Sequence, residues 1–232
     1  MSDAEIEQTA FEFIKVHHKD LIQKFAPPEL CHPIETPTSL FMAGSPGAGK
    51  TEVSKNFMKE FKDTPIRIDA DEIRSFCPDY VGANAHLFQK AANKGVNILY
   101  DYALHKSLNC ILDGTFAYAG ADENIGRSLS RKREVELWFV YQNPIKAWEF
   151  TKAREAREAR HVSKEVFIKS FFDSRHNAYT VKEHFRDQIK LNLLTKDYEK
   201  SEEDVQLNIT AIELDRATNG GYSLEELTRI LI

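Results

Sequence analysis

The chain has 232 residues, 42% of them hydrophobic and 29% charged, which suits one globular domain with additions and excludes a fibrous or membrane-embedded composition. Its formal net charge of -5 argues against non-specific nucleic-acid binding as the main activity, and no run approaches the ~18 apolar residues of a membrane span. Three cysteines, Cys31, Cys77 and Cys110, are far apart and lack metal-ligand spacing, so a reducing compartment is expected. The N-terminal "MSDAEIEQ" is acidic where a signal peptide would be basic, and the expectation is a cytoplasmic protein with no membrane or nucleic-acid partner.

In chain order, residues 3–25 read as a helix, with Ser2 and Glu5 as a capping box and Ile6, Ala10, Phe13, Ile14 and Leu21 near helical spacing. The four prolines of "APPELCHPIETPTS" make a connector, so residues 1–37 are read as a helical extension to a domain spanning 38–232. "SLFMAG" (39–44) is a short apolar run ending at glycine, a buried-strand signal, and a helix is expected from Lys50 to about Phe61. Strands follow at 65–70, 109–115, 134–142 and 205–214, with helices at 85–107, 122–132, 144–160 and 163–190 between them. Ser223 and Glu226 could box a final helix. Alternation of strand and helix implies crossovers, hence an α/β three-layer sandwich with a mostly parallel sheet of about five strands, plus the N-terminal helix.

"GSPGAGKT" (44–51) fits the phosphate-loop pattern G-x-x-x-x-G-K-[ST]. Gly44, Gly47 and Gly49 permit backbone turns that other residues avoid, and with Ser45, Ala48 and Pro46, which itself has no N–H, they shape a loop whose N–H groups point into one concavity at a helix N-terminus. Lys50 would reach the β- and γ-phosphates, and Thr51 would place its hydroxyl on Mg²⁺. A nucleotide site alone does not separate a motor ATPase, a switch GTPase and a kinase. "CILDGT" has Gly114 after Asp113 where a motor has its water-polarising Glu, and the only Asn-Lys, in "NKGV", lacks the guanine-reading Asp. A kinase remains, and it needs an acceptor site, a base and cations for the moving phosphate.

Asp69 and Asp71 lie at the carboxyl end of the second strand, the edge where doubly wound sheets bind ligands. One is expected to be the base and the other a helix cap or metal-linked carboxylate, and Asp71, just beyond the strand's alternation, is preferred as base. Asp113 and Thr115 end the third strand at the same edge and could bind acceptor hydroxyls or water on Mg²⁺. "KAREAREARHVS" (152–163) spaces Arg154, Arg157 and Arg160 across one broad side of a helix. That segment is either a solvated helix with an Arg154–Glu158 pair or a lid whose arginines neutralise the transferring phosphate.

These residues in this order resemble the zeta toxin family: "GSPGAGKT", then "IDADEIR" leading to "PDY", then "ILDGT", then "ARHVSKEVF" entering a long helix, over roughly 38–195. The resemblance implies a P-loop kinase of a toxin–antitoxin system that uses ATP, or GTP in some members, with Mg²⁺. Its implied acceptor is the 3′-hydroxyl of the amino sugar in UDP-N-acetylglucosamine. By position it implies that Lys50 and Thr51 serve phosphate and Mg²⁺, that Asp71 is the base, that Asp113 holds the sugar nucleotide, and that Arg160 is catalytic with either Arg154 or Arg157. It also implies an antitoxin partner, or inhibition in cis by the N-terminal helix, for which packing on the sheet's edge is the alternative. The chain departs from the family in having Asp113 where many members have Glu, Cys77 where a His often precedes the Pro, and Ser163 for a usual Pro. It also has Phe116-Ala117-Tyr118 where well-known members carry an arginine after the Gly-Thr. A metabolic or drug-modifying kinase with another alcohol acceptor, and a nucleotide-binding regulator without transfer activity, are the competing readings.

Overall fold

Strand β1 (Thr38–Ala43) is buried along almost all its length, and its alternate residues enter different cores: Phe41 and Ala43 one, Leu40 and Met42 the other. A strand covered on both faces belongs at the centre of a layered α/β sheet. In the computed structural model, which describes residues 1–197 and 202–231, β1 is flanked by β3 (Cys110–Asp113) and β4 (Glu134–Gln142). β2 (Ile66–Asp69) lies outside β3, and β5 (Lys190–Asp197) outside β4. These five strands are parallel, and β6 (Glu202–Gln206) adds an antiparallel edge, giving the order β2-β3-β1-β4-β5-β6.

The helices are α1 (Asp3–Val16), α2 (His18–Phe25), α3 (Lys50–Glu60), α4 (Ala70–Arg74), α5 (Gln89–His105), α6 (Ala121–Leu129), α7 (Pro144–Glu158), α8 (Lys164–Phe185), α9 (Ala211–Thr218) and α10 (Leu224–Ile230). α3 covers one face of the sheet through Val53, against Leu40, Met42, Ile111 and Val140. α5 and α8 supply Leu99, Ala103 and Ala178 to the larger core on the other face. A third cluster of Ala147, Trp148, Phe167, Phe171 and Leu227 ties α7, α8 and α10 together. Ser2–Glu5 and Ser223–Glu226 both form the expected capping boxes, and Ser163 accepts the Val166 N–H at the start of α8.

Four expectations change. The helix over 3–25 is two, because His17 leaves helical geometry at φ -93 and ψ 24. Its Ile14 and Leu21 are fully buried in the same core as β2 and β3, so the extension is built into the main body. A 3-10 turn (Gly82–Phe88) precedes α5. At the other end, the chain leaves helix after Phe185, and "KLNLLTKD", read as part of a helix up to 190 and then left unassigned, is β5. Its Leu191, Leu193 and Leu194 make an apolar run too short for periodicity to separate strand from helix. "VQLNITAIEL" is not the fifth strand: only Val205 and Gln206 lie in β6, and Thr210 with Glu213 boxes the start of α9. The sheet therefore has six strands among the described residues.

Candidate active site

β1 delivers the chain to the glycine loop, where neighbouring backbone leaves no room for side chains. A Cβ on Gly44 would lie 2.3 Å from the Val140 carbonyl oxygen, and one on Gly47, at φ +75, 2.0 Å from that of Ala147. Glycine is required at both, because β4 and the root of α7 close directly on the loop. The Gly44 N–H donates to the Thr115 carbonyl at 3.2 Å, and the Ala48 N–H to the Ser45 carbonyl at 3.3 Å. Gly49 starts α3 in the left-handed region with no capping side chain, so the first-turn N–H groups lack intrahelical or capping acceptors. Such a helix end favours an anion.

Lys50 is buried at this end, its Nζ donating to the carbonyls of Gly44 (2.9 Å) and Ser45 (2.6 Å). Burial lowers its pKa to about 8, with Arg154 adding to the effect and Asp113, Asp69 and Asp71 opposing it. The ammonium sits among carbonyls that a phosphate could replace, and Thr51 follows in the first turn of α3. The loop's residues therefore fit a nucleotide polyphosphate with its divalent cation. Pro46 is partly exposed on the loop, and Lys196, at the end of β5, packs its Nζ 3.2 Å from where a Gly49 Cβ would stand while pairing with Glu52 at 3.0 Å.

The two strand-end carboxylates divide their work. Asp69 is the cap: its Oδ1 accepts the Asp71 N–H at 2.8 Å, and its Oδ2 accepts from Arg67 Nη2 at 2.6 Å. Burial raises its pKa, reinforced by the charges of Asp113 and Asp71. Asp71 instead faces three guanidinium groups. Its Oδ1 accepts from Arg74 Nη1, and its Oδ2 from Arg160 Nη1 and, at 3.4 Å, Arg154 Nη2. Arg154 also makes the i,i+4 bond to Glu158 at 2.6 Å, so its guanidinium faces both carboxylates.

Arg157 is exposed and outside this cluster. A position three residues along a helix is turned by about 60°, enough to take it off the face that Arg154 presents to Asp71. Arg160 lies past the end of α7, where Ala159 adopts φ 55 and turns the chain back toward the sheet. The 3-10 turn seats that corner: a Cβ on Gly82 would stand 2.0 Å from the Glu158 carbonyl oxygen and 3.1 Å from the Arg160 nitrogen.

Asp113, at the end of β3, sits in a buried polar network. Its side chain is 3% exposed, and its Oδ2 accepts from Ser54 Oγ (2.6 Å) and from Arg67 Nη2 (2.5 Å) and Nε (3.1 Å). Through this oxygen the carboxylate links β3, β2 and the phosphate-loop helix. Thr115 accepts the Ala117 N–H at its Oγ1 at 3.4 Å, and Phe116, at φ 59, is buried against Phe41. Arg67, Arg74, Ser54 and Gly82 were not singled out from sequence. A charged residue inside the apolar strand "PIRIDA" was the available signal for the first of them.

The phosphate loop, the parallel sheet order and the carboxylate–arginine cluster define a P-loop α/β protein with kinase-like layering. The chain belongs to the zeta toxin family, whose members are P-loop kinases and whose pattern matches residues 24–205. Two solved structures share its fold. One, from the chromosomal PezAT toxin–antitoxin system of Streptococcus pneumoniae, has a TM-score of 0.69 at 16% identity, covering 99% of this chain and 94% of that one. The other, the AvrRxo1-ORF1:AvrRxo1-ORF2 structure with sulphate ions, has a TM-score of 0.62 at 13% identity, covering 95% of this chain and 73% of that one. At such identities the likeness is one of fold. No curated protein matches the chain. No helix among the described residues is long and apolar enough to cross a membrane.

Proposed function

We propose that the protein is an ATP-dependent kinase that moves the γ-phosphate to an alcohol, the 3′-hydroxyl of the amino sugar of UDP-N-acetylglucosamine or a related UDP-sugar. The supporting observation is the meeting of Asp71 with Arg154 and Arg160 at the carboxyl edge of the sheet, beside the loop that holds Lys50. A carboxylate among mobile cations suits phosphoryl transfer, where catalysis is mostly positioning and charge stabilisation.

The residues take the following roles. The N–H groups of Gly47, Gly49, Lys50 and Thr51 hold the polyphosphate, and Lys50 exchanges its carbonyl partners for phosphate oxygens. Thr51 would hold Mg²⁺, which would supply charge neutralisation to the phosphates. Arg154 and Arg160 leave Asp71 for the transferring phosphate, and the freed Asp71 accepts the proton of the acceptor hydroxyl. Thr115 lies at the same edge and is assigned to the acceptor, while Asp113 supports the site from behind. GTP is admitted as an alternative donor. An antitoxin protein is the proposed partner, on the ground that a structural relative belongs to a toxin–antitoxin system.

The test is incubation of the purified protein with ATP, Mg²⁺ and UDP-N-acetylglucosamine, followed by mass analysis of the products. A singly phosphorylated sugar nucleotide is expected, absent with Asp71→Asn. Phosphorylation of a different alcohol from a cell extract would keep the kinase and reject the sugar nucleotide. No phosphorylated product from any extract would leave a nucleotide-binding regulator.

A further inference from the structure

Arg67 stands inside β2, 5% exposed, where the neighbouring residues Ile66 and Ile68 are apolar and buried. Four side chains meet it, from β2 itself, β3, α3 and α4. Its Nε donates to Ser54 Oγ at 2.9 Å, its Nη1 to Glu72 Oε1 at 2.6 Å, and its Nη2 to Asp69 Oδ2 at 2.6 Å and Asp113 Oδ2 at 2.5 Å. None of these partners is the residue read as the base. Yet Asp69 carries Arg67's influence directly to it, because the other Asp69 oxygen holds the Asp71 N–H. Glu72, the next residue, pins the same turn of α4 from a second side.

At its other end the network reaches the phosphate loop. Ser54 is on α3, one turn after Lys50, and donates to Asp113 at 2.6 Å. An unbroken series of buried polar contacts therefore runs from the helix that carries Lys50 and Thr51, through Asp113 and Arg67, to the backbone of Asp71. Only a planar fork with five donors can span acceptors placed on that many sides; a lysine ammonium is a single point.

We propose that Arg67 is a positioning residue for phosphoryl transfer, fixing Asp71 relative to the phosphate loop through the Asp69 cap. The proposal rests on the reading of Asp71 as base. It assigns to the strand position before "IDAD" a function in setting the distance between donor and acceptor. A misplacement of about 1 Å at such a distance can cost about a hundredfold in rate.

Arg67→Lys in the full chain keeps the charge and removes the fork, and Asp69→Asn keeps a side-chain oxygen for the Asp71 N–H while removing the charge that Arg67 holds. Three quantities are read on both: hydrogen exchange of the Asp71 amide, ATP affinity, and kcat per folded molecule. The expected result is faster Asp71 exchange by about tenfold or more with Ile68 unchanged, ATP affinity within about threefold, and kcat lowered by about tenfold or more. The double variant should be no worse than either single one, since both cut the same chain of contacts. Unchanged Asp71 exchange in both variants, or additive losses of kcat, would overturn the proposal. The exchange measurement needs no acceptor, so a wild-type protein with no detectable turnover defeats the kinase reading while the positional claim is still decided. If Arg67→Lys does not fold, Asp69→Asn is judged on Asp71 exchange and kcat alone, and unchanged exchange there overturns the proposal.

Discussion

Arg160 lies beyond the last residue of α7 and meets Asp71, 89 positions earlier in the chain, at the end of β2. Helix periodicity does not place it there; the left-handed turn at Ala159 does. Of the three arginines in the segment, Arg154 and Arg160 share this carboxylate and Arg157 does not. Arg154→Ala and Arg160→Ala should each lower kcat by about a thousandfold, the scale of an arginine that neutralises a moving phosphate. Arg157→Ala should stay within a few fold of wild type. Steady-state kinetics on the three variants separates the lid reading from that of a solvated helix, for which all three would be silent.

Asp71→Asn should abolish transfer and leave nucleotide binding intact. The loop that holds the phosphates does not use Asp71. Loss of its charge also leaves Arg74, Arg154 and Arg160 without their shared anion, so ATP should bind as well as to wild type or more tightly. Calorimetric titration with ATP decides this; clearly weaker binding would mean that Asp71 serves the donor rather than the acceptor.

Lys50 gives a pH signature. Its pKa in the free protein is lowered to about 8, chiefly by burial. A bound polyphosphate favours the ammonium and moves that pKa upward. Below pH 8 both states carry the proton, and affinity should be flat. Above it the free protein has released the proton and binding must take one up, so affinity falls as pH rises through 8. Titration at pH 9 in buffers of different ionisation heat should show proton uptake, and the same experiment on Lys50→Met should show none.

How much could be read from the sequence follows the range of each interaction. The phosphate loop is local: its glycines, Lys50 and Thr51 fall within eight residues, and their spacing alone predicts their geometry. Asp71 was preferred over Asp69 from its place past the strand, and Asp69 is the residue that caps α4. Which of Arg154 and Arg157 meets Asp71 depended on which face of α7 is turned to the end of β2, which composition does not encode. The partner of Asp113 was not legible, because no local signal reveals that Arg67, 46 positions away, pairs with it. The last two strands were misread where apolar runs were short: β5 followed a long helix without a glycine or proline between them, and Ile209 and Ile212 of the "VQLNITAIEL" run belong to a loop and a helix.

The N-terminal helices remain the place where regulation and stability make opposite predictions. α1 and α2 pack on α5, with Ile14 and Leu21 fully buried among core residues such as Ile73 and Leu99. Leu21 is so close to Gly95 that a Cβ there would meet it at 3.5 Å. Burial of that kind argues for structure: Leu21→Ala should cost about 2–5 kcal/mol through the cavity it leaves. Thermal unfolding should show a lowered midpoint with kcat of the folded protein unchanged. Deletion of residues 1–25 should yield an aggregating or unfolded chain, because it uncovers the α5 face. A cis-inhibitory segment predicts the reverse, a folded and faster enzyme once the helices are gone. Measuring soluble yield, unfolding midpoint and turnover together on the two variants decides between them.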